Sequence, residues 1–326
     1  MAMVMLICVY CLFPTGLHAA EYKVLLVFSY EEAMPWCQKI REKTDSVLEA
    51  SCEIRYFYMN TKTDLGGGPQ KAEEAYALYQ EFQPDGVIAA DDNAQSMFVV
   101  PYLKDKVKTP VIFCGVNAEA EEYGYPASNV TGILERQHYS EAVTYAQQIV
   151  PSIKTFGYMI KKSPVGEIII RNIQNRTDTF SAKFMGYRTP KTLRETIAMS
   201  KELSQTCDLL LLSTMTGILS DKGKPLTDKE VVPLVVSAFG KAVVGLERQV
   251  VASGALCSLL RTAQEQGEVA AEMLLKAMKG TAMSQMPITR NKKGKAIINV
   301  SSMKSMGINP PAHTLIGAEL IRTGDE

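Results

Sequence analysis

The sequence has no excess of charge of either sign, which argues against a highly charged partner. Its 35 Lys and Arg residues balance 35 Asp and Glu residues, and the sequence pI is about 6.8. Binding to nucleic-acid phosphates requires a concentrated basic surface. The longest basic run, Arg290–Lys295, is interrupted by Gly294 and lies between two short apolar segments, which is typical of a solvated hairpin turn. We therefore expect no nucleic-acid partner.

The cysteines include neither a CxxC pair nor the spacing of metal ligands. After residue 20 they are Cys37, Cys52, Cys114, Cys207 and Cys257. Three of these adjoin apolar, strand-like runs, where thiols are commonly buried and unreactive. The sequence predicts small buried side chains and no metal site, and it leaves an incidental disulfide open.

The catalytic signatures of α/β enzymes are missing as well. The chain contains no GxSxG, HExxH, GxxxxGK[ST] or GxGxxG motif, and its histidines after residue 20 are His138 and His313. Gly66–Gly68 follows a polar stretch and precedes Pro69, so we interpret it as a loop leading into a helix. We expect a protein without enzymatic activity or cofactor, with an enzyme as the alternative that a turnover assay would reveal.

Residues 1–20 have the pattern of a secretory signal peptide. They contain no Asp, Glu, Lys or Arg, they carry the apolar run Val4–Phe13, and Pro14 and Gly16 break that run. The run is roughly half of the about 20 residues that a membrane-spanning helix needs. Neither Cys8 nor Cys11 has the context of a lipid anchor. We expect cleavage near residue 20 and a protein that is periplasmic or secreted.

From Tyr22 onward, short β-branched runs alternate with amphipathic stretches of helical length, which predicts an α/β fold with parallel sheets. A helix is expected over Ala94–Lys104. The predicted strands are Tyr22–Ser29, Glu53–Met59, Gly86–Ala90, Pro110–Cys114, Asn129–Leu134, Thr155–Ile160, Lys183–Arg188, Asp208–Ser213, Ala242–Leu246, Gly254–Cys257, Met286–Thr289 and Ala296–Val300.

Two such series of strands and helices predict two doubly wound lobes. We expect lobe 1 to comprise residues 21–131 and about 259–283, and lobe 2 residues 132–258 and about 284–326. The junction Thr131–Arg136 lacks a Gly/Ser-rich linker, so a strand-like hinge is expected. About three crossovers would then join the lobes.

Polar side chains stand where the predicted apolar strands end, which is where open α/β sheets bind ligands. One residue of Asp91–Asn93 is expected to cap the following helix. The candidate ligand-binding residues are Ser29, Tyr30, Trp36, Asp91, Asp92, Asn93, Asn117, Glu135, Ser213, Thr214 and Glu247.

Several stretches resemble one known family. Thr109–Asn117 and Asn129–Ile133 are similar to the "PvvF.GVn…NVTGv" signature of the ABC-transporter substrate-binding proteins related to the tryptophan and tyrosine binders. Gly254–Leu259, Ile298–Val300 and Met306–Pro311 resemble the closing pattern of that family. The resemblance spans nearly all of the chain after residue 20.

This resemblance implies a type I periplasmic-binding-protein fold, in which two lobes close on a small solute. It also implies delivery of the solute to an ABC permease in the inner membrane, by a protein that we expect to be a monomer. Similar domains occur as periplasmic sensor regions of histidine kinases. Ligand sensing together with a sensor kinase is therefore the alternative function.

The chain departs from the family at the end of its third strand. Aromatic amino-acid binders typically have a Gly-Thr-Pro-like turn there, whereas this chain reads Ala90–Ala94, with two carboxylates. These would repel a bound carboxylate unless the ligand also carries positive charge. An amino acid and an amine-bearing or cationic solute both remain open.

Overall fold

The computed structural model of the chain describes residues 20–325, so the predicted signal peptide, apart from Ala20, lies outside the described residues. The described chain forms two compact units. One comprises the residues up to Ile133 together with Gly267–Ile288, and the other comprises Leu134–Gln266 together with the residues from Thr289 onward. The chain thus passes between the units three times.

The first unit is a parallel sheet covered by helices. β1 (Tyr22–Phe28) pairs in parallel with β2 (Cys52–Tyr58) and β3 (Gly86–Ala90), and β3 pairs in parallel with β4 (Val111–Val116), beside which lies β5 (Val130–Leu134). The elements up to the first crossover are β1 (Tyr22–Phe28), α1 (Pro35–Leu48), β2 (Cys52–Tyr58), α2 (Gly68–Phe82), β3 (Gly86–Ala90), α3 (Asp92–Ala94), a π-helix (Gln95–Leu103), β4 (Val111–Val116), a 3₁₀ helix (Ala120–Tyr123) and β5 (Val130–Leu134). β3 and β4 are buried along their whole length, as expected for a sheet covered on both faces.

The second unit has a sheet of seven strands in the order β13-β12-β10-β9-β8-β6-β7. Its pairs are parallel except that β12 runs antiparallel to β10. The remaining elements are α4 (Tyr139–Ile149), β6 (Thr155–Met159), α5 (Pro164–Gln174), a 3₁₀ helix (Thr177–Thr179), β7 (Lys183–Arg188), α6 (Leu193–Ser204), β8 (Leu209–Leu212), α7 (Asp228–Phe239), β9 (Ala242–Gly245), α8 (Arg248–Ala252), β10 (Cys257–Arg261), α9 (Ala263–Met278), a 3₁₀ helix (Met283–Gln285), β11 (Thr289–Arg290), β12 (Gly294–Asn299), α10 (Val300–Ser305), a 3₁₀ helix (Ala312–Thr314) and β13 (Glu319–Ile321). Among residues 20–325, none of the helices combines the length and apolarity needed to cross a membrane.

The helix predicted over Ala94–Lys104 is mostly a π-helix. It contains Pro101, which has no N–H to donate, so a regular α-helical ladder cannot continue through it. At its end the Lys104 N–H donates to the Val99 carbonyl at 2.8 Å, which is the wider spacing of a π-helix. The predicted helix is therefore present, and most of it is of the π type.

The segment Arg290–Lys295 is solvated as predicted, since its residues other than Asn291 are exposed, but the prediction of a hairpin is wrong, because β11 (Thr289–Arg290) and β12 (Gly294–Asn299) belong to different sheets. Asn291 is buried, its side chain donates to the Arg136 carbonyl at 2.9 Å, and it accepts from the Arg136 N–H at 2.6 Å. Glu265, also buried, accepts from the backbone N–H groups of Lys292 and Lys293. Residues 290–293 are therefore tied to two other segments of the second unit that are distant in sequence.

β10 begins at Cys257 and extends to Arg261, beyond the predicted Gly254–Cys257. Gly254 has φ +126, which lies outside the extended region, so no strand begins there. Arg261 is therefore the last residue of a strand, at the same edge of the second sheet as other polar residues.

Candidate functional site

In the first unit, Ser29 fixes the turn that follows β1. Its hydroxyl donates to the Ala90 carbonyl at 2.7 Å and accepts from the Ala94 N–H at 2.8 Å. Ser29 is fully buried, so both roles of the hydroxyl are filled inside the protein. It holds the ends of β1 and β3 together and caps the helix that follows β3.

Asp91 sits at the centre of this edge of the sheet. It is 2% exposed, and its φ of +68 is unusual for a residue with a side chain. Its Oδ1 accepts from the indole N–H of the half-buried Trp36 at 2.9 Å. A Cβ on Gly115 would lie 2.7 Å from the same oxygen, so a glycine is needed beside this carboxylate.

Gln95, which the sequence analysis missed, supports the strained turn at Asp91. Its side-chain NH₂ donates to the carbonyls of Ala89 at 3.0 Å and Asp91 at 3.2 Å, and its oxygen accepts from the Tyr125 hydroxyl at 3.1 Å. Gln95 is fully buried. Its position, four residues after Asp91 in a segment expected to be a helix, was the only available signal.

The neighbouring Asp92 has a different role from Asp91. Its carboxylate accepts from the backbone N–H groups of Asn117 at 3.0 Å and Ala118 at 3.1 Å, and from the Tyr123 hydroxyl at 2.9 Å. These donors tie the end of β4 to α3. The two carboxylates that the sequence placed together therefore do not act as an equal acidic pair.

The other candidates in this unit lie at the same edge. The Asn93 amide donates to the Thr61 hydroxyl at 2.8 Å, and the ammonium of Lys62 lies 5.0 Å from the centre of the Tyr30 ring. Asn117 is exposed at the end of β4. The structure thus brings together Ser29, Tyr30, Trp36, Asp91, Asp92, Asn93 and Asn117.

In the second unit, Ser213 and Thr214 follow β8 and are both hydrogen-bonded. The Ser213 hydroxyl lies 2.8 Å from the hydroxyl of Tyr158, in β6. The Thr214 hydroxyl donates at 2.7 Å to Asp228, which also accepts from the Met215 N–H at 2.6 Å. Tyr158 and Asp228 were missed in the sequence, because one lies inside an apolar strand and the other at the start of a helix after a long loop.

Glu135 and Arg261 form an ion pair in the second unit. The guanidinium of Arg261 donates to the Glu135 carboxylate, whose side chain is 5% exposed. Glu135 was predicted as a site residue and Arg261 was not, because β10 extends four residues beyond the predicted strand end at Cys257. The predicted carboxylate is thereby neutralised within its own unit.

Glu247 follows β9 and begins α8. Burial raises the pKa of Glu247 to about 7; Asp228 acts in the same direction, while Arg261 and a hydrogen bond from the Thr214 backbone oppose it. Its Oε2 is buried and accepts no hydrogen bond from the described residues. This carboxyl group therefore carries a proton in part at neutral pH.

The remaining titratable side chains give no sign of a reaction centre. The five cysteines among residues 20–325 are all buried. Burial, assisted by the nearby Asp91, raises the pKa of Cys37 to about 12, and burial raises that of Cys257 to about 12. Both thiols are therefore protonated at neutral pH. Within the described part of the chain, His, Cys, Asp and Glu do not assemble in groups of three or more that could hold a metal ion.

The buried carboxyl group makes stability depend on pH. A Glu whose folded-state pKa lies above its unfolded value adds stability below the unfolded value, and that stability is lost as pH rises through 7. We therefore compare the unfolding free energies of the wild type and Glu247→Gln at pH 5 and pH 8. The wild type should become less stable relative to Glu247→Gln by about 2 kcal/mol over this range.

Urea unfolding of both proteins at the two pH values measures this difference. The control is Glu167→Gln, because Glu167 is exposed on α5. Its difference from the wild type should not change with pH. A Glu247→Gln difference that is equally constant would show that Glu247 does not titrate in this range.

Comparison with known proteins places these two groups of residues in context. The family model described as ABC transporter substrate binding protein matches residues 86–320. A search of curated protein sequences finds no match. The family model thus covers most of the second unit and the part of the first unit that includes Asp91 and Asn117.

Solved structures resemble the chain over most of its length. One is an ABC domain in complex with L-Trp from Streptococcus pneumoniae, with 16% identity, a TM-score of 0.55, and coverage of 93% of this chain and 100% of the other. Another is the ligand-free, open form of a substrate binding protein with adhesive properties from Clostridium difficile, with 17% identity, a TM-score of 0.70, and coverage of 93% and 99%. A third is a periplasmic ribose ABC transporter protein from Conexibacter woesei, with 15% identity, a TM-score of 0.50, and coverage of 89% and 95%. At these identities the likeness establishes the fold, and it confirms the predicted type I periplasmic-binding-protein fold.

Proposed function

Because the chain belongs to the ABC transporter substrate binding protein family, we propose that it captures a small organic solute and delivers it to an ABC permease. The solute class that fits the sequence and the site is an amino acid or an amine. The permease would lie in the inner membrane and the protein in the periplasm, after removal of the leader. We propose that it works as a monomer.

One observation carries this proposal. In each unit the polar side chains gather at the carboxyl ends of parallel strands, which is the ligand-binding edge of open α/β sheets. In the first unit this edge carries Trp36, Asp91 and Asn117, and in the second it carries Thr214 and Glu247. An indole ring together with a few polar groups is the composition of a small-molecule site.

The same groups favour binding over catalysis. Asp92 is occupied by the end of β4, Glu135 by Arg261, and Asp228 by Thr214 and Met215. Acid and base chemistry needs a group that can reach the reacting atom. Most acidic groups here instead hold the strand ends in place, which supports a preformed recognition surface.

Trp36 provides a direct test, because it is the only tryptophan in the chain. Its indole is half-buried and donates to Asp91, so a solute that binds at this edge should change its fluorescence. We expect amino acids or amines to change the emission in a saturable way. At 100 times its dissociation constant, such a solute should also stabilise the protein by about 2.7 kcal/mol.

The screen should use the chain from residue 21 and include amino acids, amines, organic acids and sugars. Trp36→Phe keeps an aromatic ring but removes the N–H that bonds Asp91, and we expect it to weaken binding about tenfold. Tyr187→Phe, on an exposed strand residue of the second unit, is the matched control. If none of these compounds changed either the fluorescence or the melting temperature, the proposal of solute capture would be wrong.

A further inference from the structure

The acidic side chains at the strand ends of the second unit differ in the hydrogen-bond and ion-pair partners of their carboxylate oxygens. Asp228 accepts from Thr214 and Met215 through its two oxygens. Glu135 is paired with Arg261. Oε2 of Glu247 is buried, and none of the described residues donates to it. Glu247 is therefore the carboxyl group of this edge with an oxygen available to a ligand.

Aromatic rings border Glu247. Tyr139, at the start of α4, and Tyr158, in β6, have ring centroids 6.3 Å apart in an edge-to-face arrangement; burial raises the pKa of both phenols, and the nearby Glu247 adds to this. The Tyr158 hydroxyl is engaged by Ser213. Faces of aromatic rings attract cations, whereas a free anion gains nothing from them.

Charged groups of both signs surround Glu247. Arg261, at the end of β10, is paired with Glu135, and Asp228 lies at the start of α7. Arg248, on α8, and Lys295, on β12, form ion pairs with Glu319 at 2.6 and 2.5 Å. Lys229, next to Asp228, is exposed. Arg261 lowers the pKa of Glu247 more than Asp228 raises it, so the surrounding charges are not negative in sum, and the negative charge offered to a ligand is that of the ionised Glu247 itself.

We propose that Glu247 is the counter-ion for a protonated amine of the solute, and that it gives up its proton to water when the amine binds. The inference rests on the proposed solute-binding function and names the class of ligand. The O–H bond of the carboxylic acid breaks, the proton leaves to solvent, and an ammonium N–H donates to the new carboxylate. Capture of each solute molecule therefore releases close to one proton at pH 6. Burial, which keeps the free carboxyl group protonated in part, supports this coupling.

Matched probes separate the amine from the rest of a solute. L-tryptophan, tryptamine and indole-3-propionate share one ring system, while L-leucine, 3-methylbutylamine and 4-methylpentanoate share one aliphatic skeleton. We expect binding from amine-bearing members and none from the two acids. The affinity of a binding amine should rise nearly tenfold per pH unit between pH 5 and 6.5, and level off above pH 8.

Calorimetry in two buffers of different ionisation enthalpy counts the released protons. We expect Glu247→Gln to release none, to lose the pH dependence, and to bind the amine about 300-fold more weakly at pH 8, since the ammonium then faces a neutral amide in place of a carboxylate. The exposed Glu167→Gln should behave as the wild type.

The outcomes separate this inference from the proposed function. Binding of the acids alone, or of an amine without proton release or pH dependence, would overturn the role of Glu247 and leave solute capture standing. If none of the six probes bound, the inference would be wrong. Solute capture would then depend on the broader fluorescence screen, which includes sugars and other organic acids.

Discussion

Arg261→Met is expected to lower the free energy of unfolding by about 3 kcal/mol, because it removes the guanidinium that is paired with the buried Glu135 carboxylate. Glu135 is 5% exposed, while Arg261 is 30% exposed. Removing one member of a buried pair is costly because the remaining charge is poorly hydrated and has lost a favourable electrostatic interaction. The partial exposure of Arg261 keeps the expected loss at the lower end of the range for buried pairs.

A double-mutant cycle measured by urea unfolding tests this expectation. Glu135→Gln combined with Arg261→Met should recover most of the lost stability, because no charge then remains buried. Arg188→Met is the matched control, since Arg188 pairs with Glu202 at 3.1 Å in an exposed position and should cost less than about 1 kcal/mol. Equal losses for the two arginine variants would show that the Glu135 pair is no better shielded than a surface pair.

Gly267→Ala is expected to destabilise the protein by about 2 kcal/mol, although alanine favours helices. A Cβ at this position of α9 would lie 2.3 Å from the carbonyl oxygen of Ile40, in α1. Replacing glycine by alanine inside a helix normally gains about 1 kcal/mol. Forcing two packed backbones apart costs about 1–3 kcal/mol or more, so the clash prevails.

Thermal unfolding of Gly267→Ala and of Gly66→Ala provides the comparison. At Gly66 the nearest atom to a new Cβ is Asp64 Oδ1 at 3.7 Å, so the substitution meets no obstruction. We expect it to change stability by less than about 0.5 kcal/mol. A Gly267 variant as stable as the wild type would mean that α1 and α9 can separate at little cost.

The strands could be predicted because burial on both faces leaves a continuous apolar run. Leu209–Leu212, predicted within Asp208–Ser213, is buried throughout and lies in the interior of the second sheet, between β9 and β6. Tyr22–Phe28 was predicted with one extra residue, Ser29, which instead turns inward to cap a helix. Such runs need no information from the rest of the chain.

The π-helical type of Gln95–Leu103 was not read from the internal Pro101, and the Arg290–Lys295 segment could not be predicted, because its hydrogen bonds go to residues far away in sequence. The lysines of that segment indicated solvent, whereas its backbone is bonded to the buried Glu265. The local sequence does not predict a hydrogen bond between these N–H groups and a side chain that lies elsewhere in the chain. Local composition describes side chains well, but it says little about which buried group will accept a backbone N–H.

At the candidate site, the sequence predicted which residues lie at the strand ends, but it did not predict which hydrogen bonds each of them makes. Asp91 and Asp92 looked alike as a pair after β3, yet one bonds the Trp36 indole and the other holds the end of β4. Arg261 was missed because the predicted strand ended at Cys257, which left the arginine outside any strand end. Tyr158 was missed because a tyrosine within an apolar strand looks like a core residue. The ligand-binding role of the predicted residues stays a prediction.

The division of the chain between the two units has a consequence for the order of its synthesis. The first unit includes Gly267–Ile288, so it cannot be completed until the ribosome has also made the whole of Leu134–Gln266. Until then, β3 lacks the α9 residue Leu274, which lies so close that a Cβ on Gly86 would meet it at 2.6 Å. An emerging N-terminal fragment therefore presents an uncovered apolar face throughout the translation of more than a hundred residues. A segment of this kind is a natural binding site for a chaperone that keeps nascent chains unfolded.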